Sequence, residues 1–388
     1  MANSREPSVI CLGAGKSQLL VIQKSKELGL AVLAVDQNPH APGFALCNER
    51  LTLSTYEAQP IIERLRAFQT EYRFMGVINR SSGPPVISCA EICQAFGLPG
   101  VPPASAHSIV HKSRLMSACS SLGIAAPLCQ SASSLSQIDR AKLVFPCIVK
   151  PSLSLVGKSG VCRVTDESCL AEAFAAARHA SMNGMVNIEE YVPGYDVSLI
   201  ALVKKGRIIP ITLADELNEV DAKGNICGAG EVRGIGAAIP SILSGMPEEA
   251  MILALAQKIA DSFRLDTSPF MMSCRCDFGG PPRLIELHLD LGGDLILEAL
   301  MPACSSSDVP AFLIRTLMDE SAFMSGSCQP LPGPVLAAPA FSPAAVIYGQ
   351  GEGLVTDRPH TVLTAQDRSS LQRAIRAWRE NERASAYA

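Results

Sequence analysis

Apolar and polar positions alternate most clearly through residues 281–293, P-P-R-L-I-E-L-H-L-D-L-G-G. Strand side chains point to opposite faces in turn, so Glu286, His288 and Asp290 share one face. Ile285, Leu287, Leu289 and Leu291 take the other. The preceding segment M-M-S-C-R-C-D-F, which contains Asp277, reads as a neighbouring strand, with G-G-P-P as the turn between them. Upstream, F-P-C-I-V-K-P (145–151) is an apolar strand that ends on Lys150, and S-L-S-L-V-G-K-S-G-V carries it through a Gly/Ser loop into a strand at Val161. V-N-I-E-E-Y-V-P-G-Y-D-V-S (186–198) is a strand that stops at a Pro-Gly turn and restarts with an acid. Near the N-terminus, S-V-I-C-L-G and A-V-L-A-V-D read as strands on either side of a helix from Gln18 to Leu28, which predicts a parallel sheet. Helical spacing returns at 246–263 and 369–383, and A-A-V-I-Y-G-Q-G-E-G-L-V reads as a hairpin. Residues 215–236, dense in charge and glycine, read as a long loop over a site.

A carboxylate, an imidazole and a second carboxylate on a core strand are costly to desolvate unless something positive compensates them. Asp277 and Glu286 on paired strands offer oxygen ligands to a hard divalent cation, which favours magnesium carried by a nucleotide over zinc. This segment alone is equally compatible with an edge hairpin whose polar face is solvated. The Gly/Ser loop after Lys150 suits a polyphosphate, because free N–H groups and hydroxyls donate without bulk and the lysine adds a point charge. The broken strand at 186–198 exposes backbone groups to an adenine edge, and Asp196 can accept from ribose hydroxyls. Two other nucleotide motifs fail. G-A-G-K-S (13–17) lacks the leading glycine of a phosphate-binding loop, and a dinucleotide fingerprint needs glycine where Gln18 stands.

Composition narrows the class. With 388 residues, 48% of them hydrophobic, and a net charge of −4, the chain can bury large cores, and nothing in it points to nucleic acid. The 14 cysteines are scattered through apolar segments without a C-x-x-C pair, as suits buried reduced thiols in a cytoplasmic protein. No leader is read at the N-terminus, and no segment approaches the roughly 20 apolar residues of a membrane span.

The order of these parts resembles the ATP-grasp superfamily of carboxylate ligases: Lys112 in H-K-S-R-L-M, then G-I-A-A-P, F-P-C-I-V-K-P with its loop, I-E-E-Y-V-P-G-Y-D, and L-I-E-L-H-L-D-L-G-G. The resemblance covers roughly residues 8–302 and implies a fold of α/β class, α+β in the ATP-grasp portion. It implies an N-terminal parallel βα domain (1–104), a two-lobed ATP-grasp domain (105–328) with a mobile small lobe about 125–195, and a small C-terminal cap (329–388). By the same resemblance Lys112 and Lys150 contact ATP phosphates, and Ser159 and Gly160 form the tip of the loop over them. Glu189, Glu190, Tyr191 and Val192 hold adenine, Asp196 takes the ribose, and Asp277 and Glu286 ligate magnesium, for which manganese is an alternative.

The family's commoner Glu-x-Asn-x-Arg pattern is replaced here by Glu286, His288 and Asp290. His288 is thereby a candidate third metal ligand, a candidate base or a structural residue, and Arg233 or Arg275 stands in for the absent arginine. Asp290, Gly292 and Gly293 then face the substrate. The reaction implied is ATP-dependent joining of a small-molecule carboxylate to an amine through an acyl phosphate, in a cytoplasmic enzyme for which a homodimer is open. The alternatives are a bicarbonate-using carboxylase of purine-pathway type and a nucleotide-binding protein without catalysis.

Overall fold

The computed structural model describes residues 5–154, 158–221, 230–277, 279–290, 293, 295–318, 341–348 and 360–385. The N-terminal strands β1 (Glu6–Leu12), β2 (Ala31–Val35), β3 (Glu49–Leu51) and β4 (Tyr72–Asn79) form a parallel sheet in the order β3-β2-β1-β4. The almost unbroken apolar runs of β1 and β2 suit strands covered on both faces. The expected helix spans Leu19–Glu27. The helix Pro84–Phe96 follows β4 and stops at Gly97, whose left-handed backbone (φ 64°) a side chain resists.

The remaining strands build one large, mostly antiparallel sheet. They are β5 (Cys129–Ala132), β6 (Cys147–Pro151), β7 (Cys162–Val164), β8 (Val186–Glu190), β9 (Tyr195–Lys204), β10 (Arg207–Asp221), β11 (Gly230–Ile239), β12 (Ser268–Cys276), β13 (Arg283–His288), β14 (Ala344–Tyr348) and β15 (His360–Thr364). Their order is β13-β12-β9-β10-β11-β7-β6-β8-β5, with β14 joining β11 and β15 joining β14. One face of this sheet packs on the helices Lys112–Leu122 and Pro247–Ser262 through Leu199, Phe270, Met272, Leu284 and Leu287. The other packs through Ile200, Leu202 and Ala214 against the core around Val9, Val32 and the helix Val309–Leu317. The helix Leu170–Ala180 covers β6, β7 and β8.

Two sequence expectations differ from the fold, and a third lies partly outside the described residues. Residues 215–236, read as a loop, contribute to the antiparallel pair β10–β11, and 222–229 lie outside the described residues. The charges that suggested a loop sit on a strand whose apolar partners alternate with them. Of the expected hairpin over 344–355, residues 344–348 form β14, which pairs with β11 and β15, and the rest lies outside the described residues. Finally, Ile285 does not join the leucines: the register steps from Ser273↔Glu286 to Cys274↔Leu284, leaving Ile285 as the extra residue of a bulge.

Candidate active site

The same sheet face changes character along its strands. On β9, β12 and β10 the apolar Ile200, Met271 and Ala214 give way, two residues on, to Ser198, Ser273 and Glu216. Glu286 and His288 on β13 stand opposite Ser273 and Met271, so they continue this polar face. Asp290 reaches the segment after β4, where Ser82 Oγ donates to Asp290 Oδ2 at 2.9 Å. Ser82, Lys112, Ser154, Glu286, His288 and Asp290 help line an open cleft.

Lys112 opens its helix, with its backbone N–H bonded to Ser152 O, and places Nζ 2.6 Å from Glu286 Oε1. Lys150 lies buried at the end of β6, 2.7 Å from Glu189 Oε2, and also donates to the Ile285 carbonyl that the bulge turns toward it, at 3.4 Å. Burial pulls its pKa down, but Glu189 and Glu286 overcome this and hold it above the ordinary lysine value. Glu189 is therefore the counter-ion of Lys150, itself held by Asn187 Nδ2 at 3.2 Å. Glu190 turns away to a bidentate pair with Arg283, both contacts at 2.9 Å, which ties β8 to β13. Any adenine contact from Glu189 and Glu190 is left to their backbone.

The turn before β7 carries Lys158, Ser159 and Gly160. Gly160 has φ 69°, and a Cβ there would come 2.8 Å from Ala180 Cβ, so this turn is pressed onto the helix behind it. Ser159 is exposed. Lys158 Nζ lies 3.0 Å from Glu216 Oε2 and donates to Asn218 Oδ1. Burial would push the Glu216 carboxyl up, but Lys158 and the hydroxyls of Ser198 and Ser273 pull it down to about 2.

At the Pro-Gly break, the Tyr191 ring lies between two guanidiniums, with Arg163 at 4.5 Å and Arg275 at 4.9 Å from its centroid. Val192 is buried beside it. Arg275 donates to Gly194 O at 2.6 Å, and its Nε is 3.2 Å from Asp196 Oδ1. It is thus committed to the hinge rather than to the cleft. Asp196 also accepts from Asn218 Nδ2 at 3.2 Å, and burial together with the nearby Glu216 raises its pKa more than Arg275, Asn218 and Lys158 lower it.

Two sequence expectations are not met in this geometry. Asp277 is exposed, four residues beyond Ser273, the partner of Glu286; at about 3.3 Å per residue the two acids are not gathered at one point. Among the described residues, no three of His, Cys, Asp and Glu converge as a metal cluster. His288 is the second difference. Burial favours its neutral form, but Glu286 at 3.4 Å and Asp290 at 3.9 Å push its pKa up to about 9. Flanked by both acids, the imidazole is placed as their charge partner, the structural one of the roles open to it. Gly293 is exposed, while Gly292 and the Arg233 side chain lie outside the described residues.

Sequence reasoning passed over Lys158, Glu216, Asn218, Ser198 and Ser273 as a set. The available signal was the alternation T-L-A-D-E-L-N in β10, which puts Thr212, Ala214, Glu216 and Asn218 at every second position.

No family model matches the chain. A formate-dependent phosphoribosylglycinamide formyltransferase from Burkholderia vietnamiensis is 28% identical over 229 residues, 58% of this chain and 55% of that protein. The chain thus spans about half the length of the curated relatives it matches. Among solved structures, the N5-carboxyaminoimidazole synthetase of Staphylococcus aureus, complexed with ADP, aligns with a TM-score of 0.70 over 97% of this chain and 98% of that one, at 13% identity. An L-amino acid ligase from Bacillus licheniformis aligns with a TM-score of 0.67 over 90% of this chain and 82% of that one, at 18% identity. The chain has the ATP-grasp fold. A biotin carboxylase domain from Hydrogenobacter thermophilus, seen with MgADP and bicarbonate, shares it at a TM-score of 0.63 and 15% identity, over 88% of this chain and 74% of that one. No described helix of this ATP-grasp chain is long and apolar enough to cross a membrane.

Proposed function

We propose that this ATP-grasp chain is a ligase that joins a carboxylate to an amine through an acyl phosphate, releasing ADP and phosphate. The observation that carries the reading is the convergence of Lys112, Lys150 and Lys158, from three separate segments, on the acids Glu286, Glu189 and Glu216. A carboxylate repels nucleophiles, so it needs phosphorylation before an amine can attack. Phosphoryl transfer is mainly positioning and charge neutralisation, and the lysines supply both by exchanging carboxylate partners for phosphate oxygens.

Backbone groups at Glu190, Tyr191 and Val192 take the adenine and Asp196 the ribose, while Ser159 and Gly160 close over the phosphates and keep water from the acyl phosphate. The donors on this face are hard oxygens, and magnesium with a nucleotide needs only one or two protein carboxylates, so the residues present fit it through Glu286. When bound, that ion neutralises phosphate charge. Asp290, fixed by Ser82 and His288, orients the cationic amine. His288 holds this acid in place as an imidazolium rather than acting as base.

The relative's name supplies formate as one carboxylate to try, and the amino acid ligase suggests amino acids as acids and amines. A second reading, with bicarbonate in place of an organic acid, is favoured by the fold likeness to the carboxyaminoimidazole synthetase along nearly all of both chains. The described cysteines are free thiols and mostly buried, which suits the cytoplasm. Phosphate release from ATP, measured with formate, with amino acids singly and in pairs, and with bicarbonate, tests the proposal. Release that requires an organic acid and an amine together supports it, release with bicarbonate alone favours the second reading, and no release with any combination sinks both.

A further inference from the structure

Glu286, Ser273, Ser198 and Ala214 form one row across four neighbouring strands, set by the registers Glu286↔Ser273, Ser273↔Ser198 and Ser198↔Ala214. Glu216, two residues beyond Ala214, leans back over this row. Ser198 Oγ and Ser273 Oγ both donate to its Oε1, at 2.5 and 2.6 Å. Ser273 directly neighbours Glu286, with Cβ atoms about 5 Å apart in such a pair, so the hydroxyl that holds the Glu216 carboxylate belongs to the strand beside Glu286.

The second oxygen of Glu216 is not satisfied by the sheet. It meets the Lys158 ammonium at 3.0 Å, and Asn218 Oδ1 accepts from the same ammonium. Lys158 comes from the turn before β7, far from Glu216 in sequence, and its backbone is held in the left-handed region at φ 62°. A lysine keeps that conformation when its side-chain contacts demand it. The Lys158 side chain as a whole is about one-third exposed.

We propose that Glu216 and Glu286 together receive the divalent cation carried by the nucleotide, and that Lys158 holds Glu216, as Lys112 holds Glu286, until it arrives. The ammonium's partners, the Glu216 carboxylate and the Asn218 amide oxygen, are hard oxygens like those of Glu286, and such donors suit magnesium or manganese as well as an ammonium. Arrival of the metal frees Lys158 for the phosphates, so one exchange moves charge from the acids to the nucleotide. The assignment rests on the nucleotide reading above and names the acid that reading lacked.

Manganese binding to the full chain, followed by the loss of the free-ion EPR signal with and without ADP, tests it. Glu216→Gln should weaken manganese binding in the presence of ADP by about tenfold or more, as loss of a ligand-shell carboxylate does, while ADP affinity measured in EDTA stays near wild type. Lys158→Met, a change in a partly exposed turn that leaves the fold intact, should strengthen manganese binding without nucleotide by about tenfold, because the resident cation is gone. Wild-type manganese affinity in Glu216→Gln, or an unchanged nucleotide-free affinity in Lys158→Met, overturns the proposal while leaving the nucleotide reading in place. Failure of the wild-type chain to bind ADP at all overturns both.

Discussion

Replacing Lys150 separates stability from catalysis. Its ammonium and the Glu189 carboxylate are 6% and 3% exposed and 2.7 Å apart, so Lys150→Met leaves Glu189 charged, buried and without its counter-ion. Breaking such a pair from one side typically costs about 3–5 kcal/mol, whereas replacing both partners with neutral groups of similar shape is close to neutral. Asn187 still donates to Glu189, and the carboxyl can protonate, so we expect the lower end, about 3 kcal/mol. Lys150→Met/Glu189→Gln should recover most of that loss in urea denaturation. Turnover should follow a different rule. Both variants lack a preorganised charge at the transferring phosphoryl group and should lose about 10²- to 10³-fold in kcat. A single variant as stable as wild type, or a double variant with restored turnover, refutes the assignment of Lys150 to phosphate and of Glu189 to Lys150.

Other predictions follow from the same face. Asp290→Asn should raise the KM for the amine more than that for ATP, measured as separate kcat/KM values, because it removes the acid that Ser82 and His288 hold toward the cleft; equal changes in both would contradict the amine-orienting role. The folded His288 pKa, about 9, lies above the ordinary 6.5, so its imidazolium stabilises the fold fully below about 6.5 and ceases to do so as pH rises through 9. His288→Gln should flatten the urea stability profile across that window, and an unchanged slope would show that His288 titrates normally.

The parallel N-terminal sheet was legible because β1 and β2 are near-continuous apolar runs, and the site face of β13 because its polar residues alternate with leucines. Lys112, Lys150 and Glu286 were visible as a set through the order of motifs. What was hidden depended on register. Nothing in the sequence says that Ser273, rather than Asp277, pairs with Glu286, since a one-residue bulge at Ile285 decides it. Glu216 was hidden for a related reason: its neighbours Asp215, Asn218 and Glu219 gave β10 the composition of a loop, although strand pairing puts Asp215 on Ser241 and Arg368 and leaves Glu216 facing the site. His288 looked like a ligand or base by residue type, and only the two carboxylates flanking it in space make it a cation.

The central claim is that the carboxylate is activated by direct attack on the terminal phosphoryl group of ATP. Once the substrate panel gives an accepted acid, that acid labelled with ¹⁸O in its carboxylate is turned over with ATP and amine, and the released phosphate is examined by mass spectrometry. An acyl phosphate transfers one labelled oxygen from the acid to phosphate at each turnover. Unlabelled phosphate, or label appearing in AMP, would contradict the account.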